Sequence, residues 1–316
     1  MFSSWRGCAC ILGLVLALTG AAQADVAVQE SFSSSTVPAN WAIQGLQGGD
    51  HYTWSSSIES SVPDATLLPG GYLHLTSDGA AYSAPWQRSS AFYVGATVNT
   101  RQDWTLTADI RVNYAHGYHG DGLAFSWVDS TSITSASNLL GGYGGYLGAP
   151  RGGGNTGERG YVNGLRGYAL EFDQLQNGEN NDPAVPYAGL LDLTNWSHAS
   201  ATQDFSSDPA TFLNNGWQTI QLQYDSEGKT FTFSWDQDSQ TGAFLFSTVW
   251  SAPQDYQGFD GYFGITASTA VLASDQDVRN FQITTTVPEP FSLSIVAAGI
   301  ASLLLRRRCR RQSQNG

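Results

Sequence analysis

Short runs in which apolar and polar residues alternate recur along the chain. They include "YLHLTS" (72–77), "WTLTADIRVN" (104–113), "DGLAFSWV" (121–128) and "GYALEFD" (167–173). "WQTIQLQYD" (217–225), "KTFTFSWD" (229–236), "YFGITAS" (262–268) and "VRNFQITT" (278–285) continue the series. A period of two sends successive side chains to opposite faces, the signature of a half-buried strand. Clusters of Gly, Asn, Asp, Ser and Pro separate the runs, and no long segment carries a helical period. The pattern therefore predicts an all-β sandwich of antiparallel strands. "YDSEGKTF" (224–231) predicts a hairpin with Gly228 near its tip.

One run carries more than packing. In "ALEFDQLQNGENNDPAVPY" (169–187), alternation puts Tyr168, Leu170 and Phe172 on one face and Ala169, Glu171 and Asp173 on the other. Two carboxylates on one face raise each other's pKa and cost stability unless something positive lies between them. The loop that follows adds Asn177 and Asp182, completing Glu171-x-Asp173-x-Leu175-x-Asn177 and then Asp182-Pro183. A hard cation such as Ca²⁺ takes six to eight oxygens from carboxylates, amides, backbone carbonyls and water, and this stretch supplies that mixture. The bland alternative is a solvated acidic turn. Upstream, "GGYGGYLGAPRGGGNTGERG" (141–160) holds ten glycines in twenty residues. No Gly-Lys-Ser/Thr follows it, so it is not a phosphate loop. It is either a flexible connection or a bare backbone placed to approach a ligand closely.

The two ends read differently from the body. Arg6, an apolar run from Cys8 to Leu18 and the small-x-small Ala22-Gln23-Ala24 predict an export signal over 1–24. At the other end, Val287-Pro288-Glu289-Pro290 precedes an apolar run from Phe291 to Leu305 and then Arg306, Arg307, Arg308, Arg310 and Arg311. As a helix this run reaches about 22 Å, enough to engage a membrane with arginines held on the cytoplasmic side. Pro-Glu-Pro, a short apolar helix and a terminal arginine cluster together resemble the PEP-CTERM sorting signal of Gram-negative bacteria. That resemblance implies processing of 287–316 by an exosortase, transient anchoring in the inner membrane, and release to the cell surface or exopolysaccharide matrix. Cys8, Cys10 and Cys309 all fall in these ends, so the body over 25–286 must hold together without disulfides. Net charge is −13 for the whole chain, and six of its 14 basic residues lie in the two ends. So acidic a body repels nucleic acid and anionic membrane and favours cations.

The acidic stretch resembles the metal loop of L-type (legume-like) lectins, which has Glu-x-Asp-x-aromatic-x-Asn, a later Asp often followed by Pro, and then a His. "HGDGLAFSW" (119–127) is similar to the same family's Asp-Gly-Leu-Ala-Phe strand, and "GGYLG" (144–148) to its backbone-donating loop. "FGITASTAVLASDQDVRNFQI" (263–283) resembles the closing strands, with Thr269 to Ser274 as the segment that tunes sugar choice. The resemblance implies a concanavalin A-like jelly-roll sandwich over 25–286. It implies Ca²⁺ held by Asp173, Asn177, Asp182 and the Leu175 carbonyl, with Glu171 at a neighbouring transition-metal position. It further implies carbohydrate bound by Asp121, Asn177 and the N–H of Gly144 or Gly145, and a cis peptide at Gly120–Asp121. Two residues depart from the pattern. Tyr187 stands where the second metal takes its His, which counts against that metal, and Leu175 stands where an aromatic ring often stacks on the sugar.

Three functions follow, in order of support. The first is an exported, surface-displayed, Ca²⁺-dependent lectin that binds exopolysaccharide and is not an enzyme. The second is a structural matrix protein whose sugar site is degenerate. The third is a glycoside hydrolase like the β-glucanases of the same sandwich, which resemble Glu-x-Asp-x-x-Glu; here the last position is Gln176, and an amide cannot donate a proton as an acid. His116-x-x-His119 lacks the ligand set of a zinc site. His51, His74 and His198 match no motif, while most tryptophans are core candidates and Tyr143 and Trp196 are loop aromatics that can meet sugar.

Overall fold

The computed structural model describes residues 23–33, 37–45, 53–55, 71–76, 87–113, 120–153, 160–177, 182, 185–198, 202–205, 216–236, 244–269 and 274–287. The predicted export signal up to residue 22, the sorting segment after 287, His116, His119 and residues 270–273 lie outside them. Among the described residues no helix is long and apolar enough to cross a membrane. The strands are β1 (Gln23–Glu30), β2 (Trp41–Gly45), β3 (Thr53–Ser55), β4 (Tyr72–Thr76), β5 (Arg88–Asn99), β6 (Trp104–Asn113), β7 (Gly122–Asp129) and β8 (Gly167–Asp173). There follow β9 (Tyr187–Asp192), β10 (Ser197–His198), β11 (Gln203–Asp204), β12 (Gln218–Asp225), β13 (Thr230–Asp236), β14 (Phe246–Ser251), β15 (Asp260–Ser268) and β16 (Asp275–Val287).

They form two antiparallel sheets. The first has the order β14-β13-β12-β6-β16-β4-β3 with β1 added on β16; the second has β10-β9-β8-β7-β15-β5-β2 with β11 added on β9. Every run read as alternating lies in one of these strands, and the alternation decides what each strand buries. Leu106, Ala108 and Ile110 of β6, Ile220 and Leu222 of β12, and Phe231, Phe233 and Trp235 of β13 point inward from the first sheet. Leu123, Phe125 and Trp127 of β7, with Leu170 and Phe172 of β8, meet them from the second. Aromatic edges lock the layer: Trp104 meets Trp127 edge-on at 5.2 Å, and Phe172 meets Phe233 in the same way at 5.9 Å. Each such pair adds about 0.5–1.5 kcal/mol beyond the area it buries.

The second sheet is covered on its far face too. Ala124, Val128, Ala169 and Leu191 from its strands pack there with Leu139, Leu147, Ala149, Val162 and Leu165 from the connections. The glycine-rich connection is thus, over its described part, a packed layer rather than a loose surface loop. Gly148 shows why glycine is needed: φ is +67°, and an added Cβ would lie 2.4 Å from the Ala267 carbonyl oxygen. The β12–β13 hairpin forms as predicted, with Asp225 Oδ1 accepting the N–H groups of Glu227 and Gly228 at 2.9 and 3.0 Å. The left-handed residue is not Gly228 but Lys229, at φ 52°.

Candidate functional site

Strand β8 sets the site. Its period of two delivers Ala169 to the outer core layer and carries Glu171 and Asp173 to that same face, where both are buried. The strand ends because Asp173 Oδ1 accepts the Leu175 N–H at 2.8 Å, a side-chain turn that competes with strand pairing. The chain then doubles back. Asp182 Oδ2 accepts the Asn177 N–H at 2.7 Å, and its carbonyl accepts Gln176 Nε2 at 3.1 Å.

Burial holds the Asp173 carboxyl well above the usual carboxylate range, and Asp182, Glu171 and Asp121 push it further, against the pull of the Leu175 N–H. Burial raises Glu171 as well, with His198 working against the rise. The acids that share a face in sequence therefore crowd and repel in three dimensions.

Asp121 joins them through pairing of β7 with β8. Gly122 lies opposite Asp173, and the Gln174 N–H donates to the Asp121 carbonyl at 2.8 Å. Gly122 takes φ +153°, and a Cβ there would stand 2.0 Å from the Phe172 carbonyl oxygen, so only glycine lets the strands approach at this point. The Gly120–Asp121 peptide is not cis; among the described residues the cis bond is Val185–Pro186. Ser274 Oγ and Gln276 Nε2 both donate to the Gly120 carbonyl at 3.1 Å.

The 3₁₀ turn at Gly144–Tyr146 sits over the same end of the sheet. Ser268 Oγ donates to the Gly144 carbonyl at 2.6 Å, and Ser268 is itself the strand partner of Gly122. Asp121, the glycine turn and the Asp173–Asp182 loop thus converge on one end of β7, β8 and β15. The loop aromatics are less free than the sequence suggests. Trp196 packs edge-on against Tyr146 at 5.2 Å, the Arg151 guanidinium covers that ring at 3.9 Å, and Arg88 lies 4.6 Å over Tyr143.

One residue escaped the motif reading. His198, on β10, stands between two of the acids, with Nδ1 2.9 Å from Glu171 Oε1 and Nε2 3.5 Å from Asp182 Oδ1. Burial alone pushes the imidazole down, but its hydrogen bonds to Asp182 and Glu171 outweigh this and raise it to about 10. Tyr187 meets the His198 ring edge-on at 5.7 Å and donates its hydroxyl to Asp173 Oδ2 at 3.4 Å. The sequence places His198 27 residues from Glu171, and only the β9–β10 hairpin brings it home; an aromatic, Tyr187, where the acids lacked their imidazole was the available clue.

Among the described residues no group of three or more His, Cys, Asp and Glu side chains is arranged to hold a metal ion by itself. The oxygen set nevertheless extends past the carboxylates. Among the described residues Asn177 Oδ1 is buried with no hydrogen-bond donor on it, which leaves it ready for a cation. Oxygen donors from acids, an amide and backbone fit a hard ion such as Ca²⁺.

Solved structures share this architecture. The winged bean acidic lectin, in complex with methyl-α-D-galactose, superposes with a TM-score of 0.58 at 18% identity, covering 84% of this chain and 99% of its own. A Bauhinia forficata lectin in complex with GalNAc gives 0.59 at 16% identity, covering 84% and 99%. The Ca²⁺/Man2-bound exoplasmic/lumenal domain of VIP36 gives 0.51 at 17% identity, covering 82% and 87%. At such identities the likeness establishes the fold, a concanavalin A-like sandwich. No curated protein matches the chain by sequence. The model of the legume-like lectin family matches residues 70–290, the span that holds most of the sandwich core and the acid loop, and the chain belongs to that family.

Proposed function

We propose that this protein is an exported, Ca²⁺-dependent carbohydrate-binding protein that acts at the cell surface or in an exopolysaccharide matrix. The observation that carries the reading is the convergence of Asp121, the Gly144–Gly145 backbone and the Asp173–Asp182 loop on one end of a sheet. Asp173, Asn177, Asp182 and the Leu175 carbonyl would hold the ion, with Glu171 beside them. Bound there, the ion neutralises the crowded acids and fixes the loop. Asp121, Asn177 and a glycine N–H are then the groups that hydrogen-bond sugar hydroxyls. Because each such bond replaces one to water, affinity at a single site is weak and display in many copies compensates.

The family, and the saccharides bound by its structural neighbours, support binding rather than catalysis. The hydrolase reading lacks its acid: Gln176 is exposed and spends its amide on the Asp182 carbonyl. The predicted signal over 1–24 and the PEP-CTERM-like segment over 287–316, with its implied exosortase, supply the case for export and display.

Titration calorimetry tests the metal. One Ca²⁺ per chain is expected to bind, and Asp182→Ala to abolish binding; an unchanged isotherm in the variant sinks the assignment. A glycan array with and without EDTA tests the sugar. Signal that the chelator removes supports the lectin, whereas no signal under either condition favours the structural matrix protein.

A further inference from the structure

Glu171 leaves its strand by a route that a single glycine opens. Opposite it on β9 stands Gly189, where an added Cβ would lie 3.3 Å from Glu171 Oε1 and 2.8 Å from Thr202 Cγ2. The missing side chain lets the carboxylate lie across β9 and reach β10, where His198 pairs with Leu191. Two residues further along β8, register sets Tyr187 opposite Asp173, so both side chains leave the same face of the sheet.

The contacts that result form a closed set. His198 puts Nδ1 2.9 Å from Glu171 Oε1 and Nε2 3.5 Å from Asp182 Oδ1, and the Tyr187 hydroxyl donates to Asp173 Oδ2 at 3.4 Å. Each of three buried carboxylates thus turns one oxygen to a side chain of the protein itself. The lectin resemblance implies a transition-metal position at this spot, with Glu171 in it and an imidazole at 187. The residues present do not fit such an ion. At 187 the chain offers a buried phenol whose hydroxyl is spent as a donor. The imidazole that does arrive, from β10, faces carboxylates with both ring nitrogens, so it spans the acids instead of offering a nitrogen to a metal.

We propose that His198 and Tyr187 together plug this second position, so that no transition metal enters it beside the Ca²⁺. The inference rests on the reading of the Asp173–Asp182 loop as an ion site. It gives His198 more than a stabilising contact: the ring is the partner that a second ion would otherwise be for Glu171 and Asp182, because buried acids must be paired with something. It also ties β8, β10 and the loop together without a metal, and so shapes the loop before Ca²⁺ arrives.

Titration of the full-length chain with Mn²⁺ in excess Ca²⁺, followed by the electron paramagnetic resonance of the free ion, tests the plug. The parent is expected to take up no Mn²⁺. His198→Ser opens the position and leaves three carboxylates, a donor set that suits Mn²⁺, so it should gain one Mn²⁺ per chain bound at least about tenfold more tightly than by the parent. Adding Tyr187→His puts an imidazole opposite Asp173 and should tighten that binding again. Far-UV circular dichroism checks that each variant folds, and the single variant decides if the double one does not. Uptake by the parent that equals or exceeds that of His198→Ser overturns the proposal, and its complete loss in the variant would make His198 a metal ligand. A parent that binds neither Ca²⁺ nor Mn²⁺, beside a His198→Ser variant that gains Mn²⁺, would sink the Ca²⁺ reading and leave the plug standing.

Discussion

Single residues at the acid end act through the partner each is given. Glu171 and Asp173 sit buried with their carboxyls raised, and among the described residues His198 is the basic side chain in hydrogen-bond reach of Glu171. Removing it leaves a buried acid without its imidazole. His198→Ala should therefore lower unfolding free energy in EDTA by about 1–3 kcal/mol, the usual cost of stranding one partner of a buried pair, lessened by the partial exposure of the ring. Urea unfolding at neutral pH checks this, and a midpoint within error of the parent chain would show the contact to be incidental. The acids were legible at this scale, because alternation alone puts Glu171 and Asp173 on one face. His198 was not, since its role depends on a hairpin whose register no local pattern encodes.

Between elements, close approach of β7 and β8 is what puts Asp121 beside Asp173. Gly122 permits that approach, with its pro-chiral hydrogen facing the Phe172 carbonyl where a methyl group would lie at 2.0 Å. Gly122→Ala must either open the pair or strain the backbone, and should cost on the order of 2–3 kcal/mol. Carbohydrate binding should fall with it, since Asp121 would move away from the loop. Equilibrium unfolding together with glycan binding tests both effects; a variant of parental stability that still binds would contradict the argument. The eight alternating runs foretold eight of the sixteen strands, β7 and β8 among them but neither β5 nor β9, and the Asp-Gly-Leu-Ala-Phe likeness foretold which strand Asp121 would begin. The packed state of the glycine-rich connection was open, because glycine content is equally high in loose and in tightly seated backbone, and only the contacts of Gly148 and its neighbours decide.

For the molecule as a whole, stability without disulfides rests on the aromatic layer between the sheets and, on the proposed reading, on an ion at its acidic end. A ligand that binds only the folded state adds about 2.7 kcal/mol at a hundred times its dissociation constant. For a body of this size that corresponds to a rise of about 5–10 °C in thermal midpoint. Differential scanning calorimetry in excess Ca²⁺ and in EDTA should show this shift in the parent chain and lose it in Asp182→Ala. Equal midpoints in the parent would mean that the acids are stabilised by protons and His198 alone. The sequence by itself determined the fold class, because a period of two is a local property that each alternating run reports independently. It also determined the identity of the acids, because their spacing is local too. Only the tertiary structure decided that His198 completes the acid cluster and that Gly120–Asp121 is trans. Each of those depends on register between segments distant in the chain, which is set by the packing of the whole core rather than by any stretch of it.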